Sequence, residues 1–275
     1  MEVIGEKKCA LPRLPRTIKA NQIILTNNHE ILTCGGITGQ YYSDFYQKCL
    51  VLKHCAWVLH STLNKEREYS ASVTMPDGVY LFGGFQSPTT SEFLPTGSST
   101  WQNGPSIPYP GLINGCAVKK SDFEIILIGS KKIIQLNTKT NDWTPLGELQ
   151  EERYYQRCVV IDGKIMVTGG RKPATYEVSS STEVISLHNP TKSKLIGQLT
   201  IGRTSHGMAV AHVNGKPILL AFGGAYREND EWKYHKSIEH WNPETKTWTI
   251  SNDLKLNEPK SSFGFLSVPT HLLCP

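Results

Sequence analysis

Short apolar runs recur along this chain, cut by glycine, asparagine, aspartate and proline. Five of them end in glycine in the same way. Residues 31–34 run into Gly35-Gly36, 80–82 into Gly83-Gly84, 125–128 into Gly129-Ser130, 165–168 into Gly169-Gly170, and 220–222 into Gly223-Gly224. The second positions lie 48, 46, 40 and 54 residues apart. A fixed pattern at unequal steps means one structural unit repeated with loops of varying length. Runs this short, bounded by turn residues, predict strands, and no long amphipathic helix is legible.

Each unit carries the same order of signals. A first apolar run turns through Asp77-Gly78, Asp162-Gly163 or Asn214-Gly215 into the run that ends in glycine. Asp-Gly and Asn-Gly supply the positive φ angles of tight hairpins at little cost. A variable loop follows, then a third run (49–53, 92–94, 133–136, 183–187, 238–241). A polar turn leads to a fourth run marked by Trp57, Trp101, Trp143 or Trp248; the fourth unit has Lys194-Leu195-Ile196 there instead. The predicted class is all-β, with five four-stranded repeats over 16–62, 63–108, 109–150, 151–200 and 201–254 in a single domain, 1–275. Four short strands per repeat of about 45 residues is the arithmetic of a β-propeller blade. The glycines let backbones approach closely at the end of an inner strand. The tryptophans offer large apolar area and an N–H in search of a partner. Both sets read as packing.

Doublets, a third strand, a polar turn and a tryptophan, five times in register, resemble the Kelch repeat over about residues 16–268. The third unit departs in having Gly-Ser, and the fourth in lacking its tryptophan. The resemblance also covers basic residues before the first strands: Arg16, Arg67, Arg157, Arg203 and, near the C-terminus, Lys260. It implies a Kelch-type propeller closing as a five- or six-bladed ring. A segment over 263–268 looks like a closing strand, which removes exposed sheet edges. Residues 22–26 already look like a first strand for unit one. Either the ring has five blades and one redundant strand, or a thin sixth blade joins 1–11 to 263–268. The resemblance further implies a protein-binding module, of the kind found in substrate-recruiting subunits of cullin ubiquitin ligases and in actin-associated proteins. Such ligase adaptors carry an N-terminal BTB and BACK region, for which this chain leaves no room. In that pathway it is expected to be a fragment or a solo propeller.

Composition narrows the partners. The net charge is +5, from 29 basic and 24 acidic residues, and charged residues make up 19% of the chain. The basic residues cluster only in pairs, such as Lys119-Lys120, so no nucleic-acid groove is expected. No stretch approaches the roughly 18 apolar residues of a membrane span, and the N-terminus lacks a signal-peptide core. Seven cysteines, an odd number with no C-x-x-C pair, read as reduced, mostly buried thiols. No Asn-x-Ser/Thr acceptor lies outside Asn189-Pro190-Thr191. A cytoplasmic protein is the expectation.

Function has to be argued from sites. Tyr, Trp and Arg in long loops on a rigid scaffold are what binding hot spots favour. The loop at 39–46 carries Tyr41, Tyr42 and Tyr46. The loop at 171–176 carries Arg171. The loop at 226–235 carries Tyr226, Arg227 and Trp232. The connection at 151–157 carries Tyr154, Tyr155 and Arg157. With Arg16, Arg67 and Arg203, these are the candidate partner-binding residues for a protein or peptide ligand. Catalytic signals are weak. His54 and Cys55 fall in a predicted strand region and point to opposite faces. His206, His235 and His240 could approach one another only if the loops allow. Ser205-His206 has no third member. No metal, cofactor or catalytic residue is therefore predicted. An enzyme of the sugar mutarotase or copper-radical oxidase kind, and a degenerate structural paralogue, are the alternatives.

Overall fold

The computed structural model describes residues 12–39, 44–109, 115–213 and 215–267. All its regular elements are strands, in five antiparallel blade sheets that follow one another along the chain: a five-bladed β-propeller. The first blade holds β1 (Gln22–Leu25), β2 (Ile31–Cys34), β3 (Lys48–Lys53) and β4 (Ala56–Thr62). The second holds β5 (Ala71–Met75), β6 (Gly78–Phe82), β7 (Ser91–Pro95) and β8 (Gln102–Asn103). The third has β9 (Cys116–Ser121), β10 (Glu124–Asn137) and β11 (Asp142–Arg153). The fourth has β12 (Arg157–Ile161), β13 (Lys164–Thr168), β14 (Ser181–Ser186) and β15 (Ser193–Gln198). The fifth has β16 (Gly207–Val213), β17 (Lys216–Phe222), an added hairpin of β18 (Ala225–Glu228) and β19 (Glu231–Tyr234), then β20 (Ser237–Asn242) and β21 (Thr247–Lys255).

The chain divides into two compact units. One comprises Met1–Ile113 with Phe263–Pro275; the other is Asn114–Ser262. In the first, Ile24, Leu32, Val51, Leu63, Leu81, Leu94 and Trp101 form the core. The Trp101 indole also donates to Ser61 Oγ at 3.0 Å, tying blade two to blade one. In the second, Ile126, Ile128, Ile165, Val167 and Ile185 form one cluster. Met166, Met208, Leu219, Trp241 and Trp248 form another. Trp248 Nε1 donates to Thr182 Oγ1 at 2.8 Å, the same tie between blades four and five. Trp57 differs: it is half-buried on β4 and donates to the Pro12 carbonyl. Trp143 is half-buried on β11.

The doublets do more than let strands approach. Gly35 and Gly36 have φ of 68° and 102°, and Gly36 N–H donates to the Arg67 carbonyl at 2.8 Å. Gly170 N–H donates likewise to Arg203, and Gly224 N–H to Lys260. Each of these three doublets thus fastens the segment leading on from its own blade. Lys260 occupies the place of Arg67 and Arg203, and Ser262, two residues on, shares the positive φ of Tyr69, Tyr155 and Ser205.

Several expectations are corrected. Blade three has three strands, not four. Residues 124–128 of β10 pair with β9 and residues 130–137 with β11, in one continuous element that bends at Ser130, φ 52°. The short Gly129-Ser130 step leaves no loop between the two runs. The expected closing strand is not a strand over 263–267, although Gly264 packs against Ile23 beside β1. Val268 and residues 1–11, the other parts of a sixth blade, lie outside the described residues. His54 and Cys55 are not in a strand. Both have positive φ and form the two-residue turn between Lys53 and Ala56.

The thiol reading is also overturned. Cys34 and Cys49 face each other across β2 and β3 and form a disulfide. Cys116 on β9 is bridged to Cys158 on β12, joining blades three and four. Buried apolar strand positions suit a thiol and a cystine equally well; cross-strand register decides between them and is not visible in a cysteine count. The bridges remove the argument from reduced thiols to the cytoplasm. Among the described residues, no helix is long and apolar enough to cross a membrane.

Candidate partner-binding face

Two of the expected arginines, Arg67 and Arg203, turn out to be internal fittings, and so does a third, Arg153. Arg67 Nε donates to Glu92 at 2.7 Å, and Nη1 donates to the Gly83 and Thr90 carbonyls. Arg203 donates to Glu239, to the Gly223 carbonyl and to the Ser237 carbonyl. Arg153 repeats the pattern with Glu183, Gly169 and Ser181. All six side chains of these ion pairs are fully buried. Each carboxylate also accepts backbone N–H groups just before its arginine: Asn64 and Lys65, Gln150 and Glu151, or Thr200. Burial pulls each guanidinium pKa down and the carboxylate opposite pushes it back up. Arg67 and Arg203 are therefore withdrawn as contact residues: both heads are consumed locking a doublet to a third strand. In blade four the equivalent residue is Arg153, which the sequence reading missed, and not Arg157. Arg157 is half-buried and donates Nε to the His206 carbonyl at 2.9 Å.

Other candidates belong to the first unit. Arg16 is exposed and lies 5.5 Å from the ring centre of Tyr46, which is buried. Burial pushes the Tyr46 phenol pKa up, against the nearby guanidinium. Tyr41 and Tyr42 lie outside the described residues. Glu68, next to Arg67, is buried with neither carboxylate oxygen hydrogen-bonded, and burial raises its pKa.

The second unit gathers the rest. Tyr154 and Arg171 exchange backbone hydrogen bonds at 2.9 and 2.8 Å, seating the loop after Gly169-Gly170 on the connection that bears Tyr155. The Arg171 guanidinium lies 5.4 Å from the Tyr155 ring centre and 4.8 Å from that of Tyr176. In blade five the expected loop is a hairpin: β18 and β19 pair Tyr226 with Lys233 and Arg227 with Trp232 around Asn229-Asp230, both at positive φ. Alternation along a strand puts Arg227, Trp232 and Tyr234 on one face and Tyr226 on the other. Tyr226 stacks on His235, ring centres 4.3 Å apart. Trp232 and Tyr234 are exposed.

Between the blade-four loop and this hairpin lies an open cleft of about 460 Å³. Tyr176, Val178, Ile201 and Tyr226 supply its apolar surface, and Arg227 and Asp230 its charge. Arg227 and Asp230 pair at 3.3 Å, and at the other wall Glu177 pairs with Lys172 at 3.1 Å. Tyr176 and Ile201 were missed as site residues. Tyr176 ends the loop at 171–176, but its left-handed backbone, φ 58°, which aims an exposed ring outward, has no sequence signal.

Behind the cleft sits a buried polar cluster. His206 Nε2 is 2.8 Å from Thr168 Oγ1, and its Nδ1 has no hydrogen-bond partner. Burial, then the charges of Arg157, Arg203 and His235, holds its pKa well below the usual histidine value. His235 is lowered to about 4, first by burial and then by Arg203. Both rings are neutral at physiological pH. Among the described residues, no three His, Cys, Asp or Glu side chains are grouped to hold a metal ion.

No protein-family model matches the chain, and no curated protein matches it in sequence. Its fold is similar to the solved structure of YjhT, with a TM-score of 0.75 and 12% identity, covering 92% of this chain and 89% of that one. At that identity the likeness shows the fold alone.

Proposed function

We propose that this propeller is a recognition module without enzymatic activity, and that it binds an extended segment of a partner protein in the cleft between the blade-four loop and the β18–β19 hairpin. The cleft carries the reading: two tyrosine faces and two aliphatic side chains, rimmed by charges, on loops whose bases are pinned by rigid blades. Such a surface has the composition of a hot spot, with aromatic anchors inside a polar rim. Its volume suits two or three side chains rather than a folded domain. Protein is favoured over nucleic acid because the rim cations Arg227 and Lys172 already hold carboxylates. The Kelch-like pattern of repeats is consistent with this class of work, including substrate recruitment for a ubiquitin ligase or attachment to the cytoskeleton.

The test is selection of an unphosphorylated random dodecapeptide library on the whole chain, followed by affinity measurement with synthetic peptides. Tyr176→Ala and Tyr226→Ala are expected each to weaken binding about tenfold, the loss of one anchor, with an unchanged unfolding midpoint for the exposed Tyr176 and both variants folded at the temperature of the assay. Peptides that bind both variants as tightly as the parent rule the cleft out.

A further inference from the structure

We propose that Arg171 reads a carboxylate on the segment that occupies this cleft; the proposal rests on the peptide-binding reading above. Arg171 stands directly after Gly169-Gly170. The same place holds Ile37 in blade one, Phe85 in blade two, Lys131 in blade three and Ala225 in blade five. Blade architecture therefore makes no demand for a cation there.

The guanidinium is placed without being used. Tyr155 and Tyr176 flank it, and its backbone is bridged on one side to Tyr154 and on the other to Val178. Its side chain makes no hydrogen bond and no ion pair among the described residues. Nε alone is shut off from solvent without a partner. The acids nearby are engaged elsewhere. Glu177 is held by Lys172, and Glu151 by Ser179, Ser181 and Arg153. An arginine held beside two tyrosine rings, with Nε buried and no hydrogen bond or ion pair on its outer nitrogens among the described residues, has its planar fork free for two parallel bonds to a carboxylate. Tyr176 is shared: one of its neighbours is the guanidinium, and it also lines the cleft. A segment lying on Tyr176 thus carries its own side chains past Arg171. The occupant this geometry fits is an acidic peptide, with one Asp, Glu or terminal carboxylate beside its aromatic or aliphatic anchors.

The test uses the peptides that Tyr226→Ala fails to bind, since those occupy the cleft. Each acidic residue is replaced by its amide, and each peptide is made with a free and with an amidated C-terminus. One replacement is expected to cost the parent protein at least tenfold in affinity, and Arg171→Gln less than twofold. Arg171→Lys, which keeps the charge but not the planar fork, falls between them. Amidation that reproduces the effect identifies a terminal carboxylate as the source. Cleft-dependent peptides with no acidic requirement, or a replacement cost that is the same in the parent and in Arg171→Gln, overturn this proposal and leave the cleft reading standing. Selection of no cleft-dependent peptide overturns both.

Discussion

Arg203 presents Nε and Nη2 to a single oxygen of Glu239, at 3.0 and 2.8 Å, and no part of either side chain reaches solvent. Two charges so placed contribute through geometry: their attraction offsets a large desolvation cost only while every remaining hydrogen-bonding group is met. Here it is met, by Gly223, Ser237 and Thr200. Removing one partner leaves the other charged and dry. Arg203→Met is expected to cost about 3–5 kcal/mol. The pair Arg203→Met with Glu239→Leu is expected to cost less than the two single changes together. Denaturant unfolding of the four proteins measures both. A single-variant loss below about 1 kcal/mol would show that the pair is not a lock.

The buried histidines give stability a pH dependence of definite sign. His206 and His235 are neutral in the folded chain, with pKa values below the unfolded value of about 6.5. Below that pH the unfolded chain binds protons the folded chain refuses, so stability falls as pH falls. Each histidine contributes a slope of about 1.4 kcal/mol per pH unit. The His235 contribution runs from about pH 6.5 down to about 4, where the folded ring itself protonates. His206, also lowered by burial, adds a contribution of the same sign. His235→Gln is expected to flatten the stability profile between pH 6.5 and 5 by one such slope. An identical profile in parent and variant would place the His235 pKa near its ordinary value.

Positive φ, which only a few residue types accept, was the legible part of the fold: the glycine doublets and Asp162-Gly163 turn where expected. Burial was legible where apolar runs were continuous, as at Leu81 and Val167. The arginine locks were not, because the partner carboxylate comes after a loop of free length. Glu92, Glu183 and Glu239 follow their arginines by 25, 30 and 36 residues. A usable signal existed on the near side. Arg67 and Arg153 precede the first glycine of their doublet by 16 residues and Arg203 by 20, whereas Arg157 precedes it by only 12. Of the cleft, Tyr226 and Arg227 were legible as chemistry in loops, as was Arg171 beside it. That Tyr176 and Ile201 join them depends on how two separate loops meet, which no local pattern encodes.

Two bridges account for four of the seven cysteines. Unfolded without reductant, the chain is expected to titrate no more than three thiols, and seven after reduction. The Cys116–Cys158 bridge closes 42 residues and joins two blades. By loop entropy it is worth about 4 kcal/mol, and the 15-residue Cys34–Cys49 loop about 3. Cys116→Ser with Cys158→Ser is therefore expected to lower the unfolding midpoint more than Cys34→Ser with Cys49→Ser. Seven reactive thiols in the unreduced unfolded chain would return the cysteines to the thiol reading.

The glycines themselves separate into two kinds that one substitution distinguishes. Gly35 and Gly163 have nearly the same backbone, φ 68° and 67°. A Cβ on Gly163 meets nothing within 4 Å, while one on Gly35 runs into the Arg67 carbonyl, the group that receives the Gly36 N–H. Gly163→Ala is thus expected to cost only the left-handed penalty, about 1–2 kcal/mol. Gly35→Ala pays that and must also displace the segment leading into blade two, which carries Arg67 into its buried pair with Glu92. Its loss should exceed that of Gly163→Ala by at least about 2 kcal/mol, the cost of disturbing a buried charge pair. Equal losses in denaturant unfolding would mean that the doublets are kept for backbone angle alone and not for contact between consecutive blades.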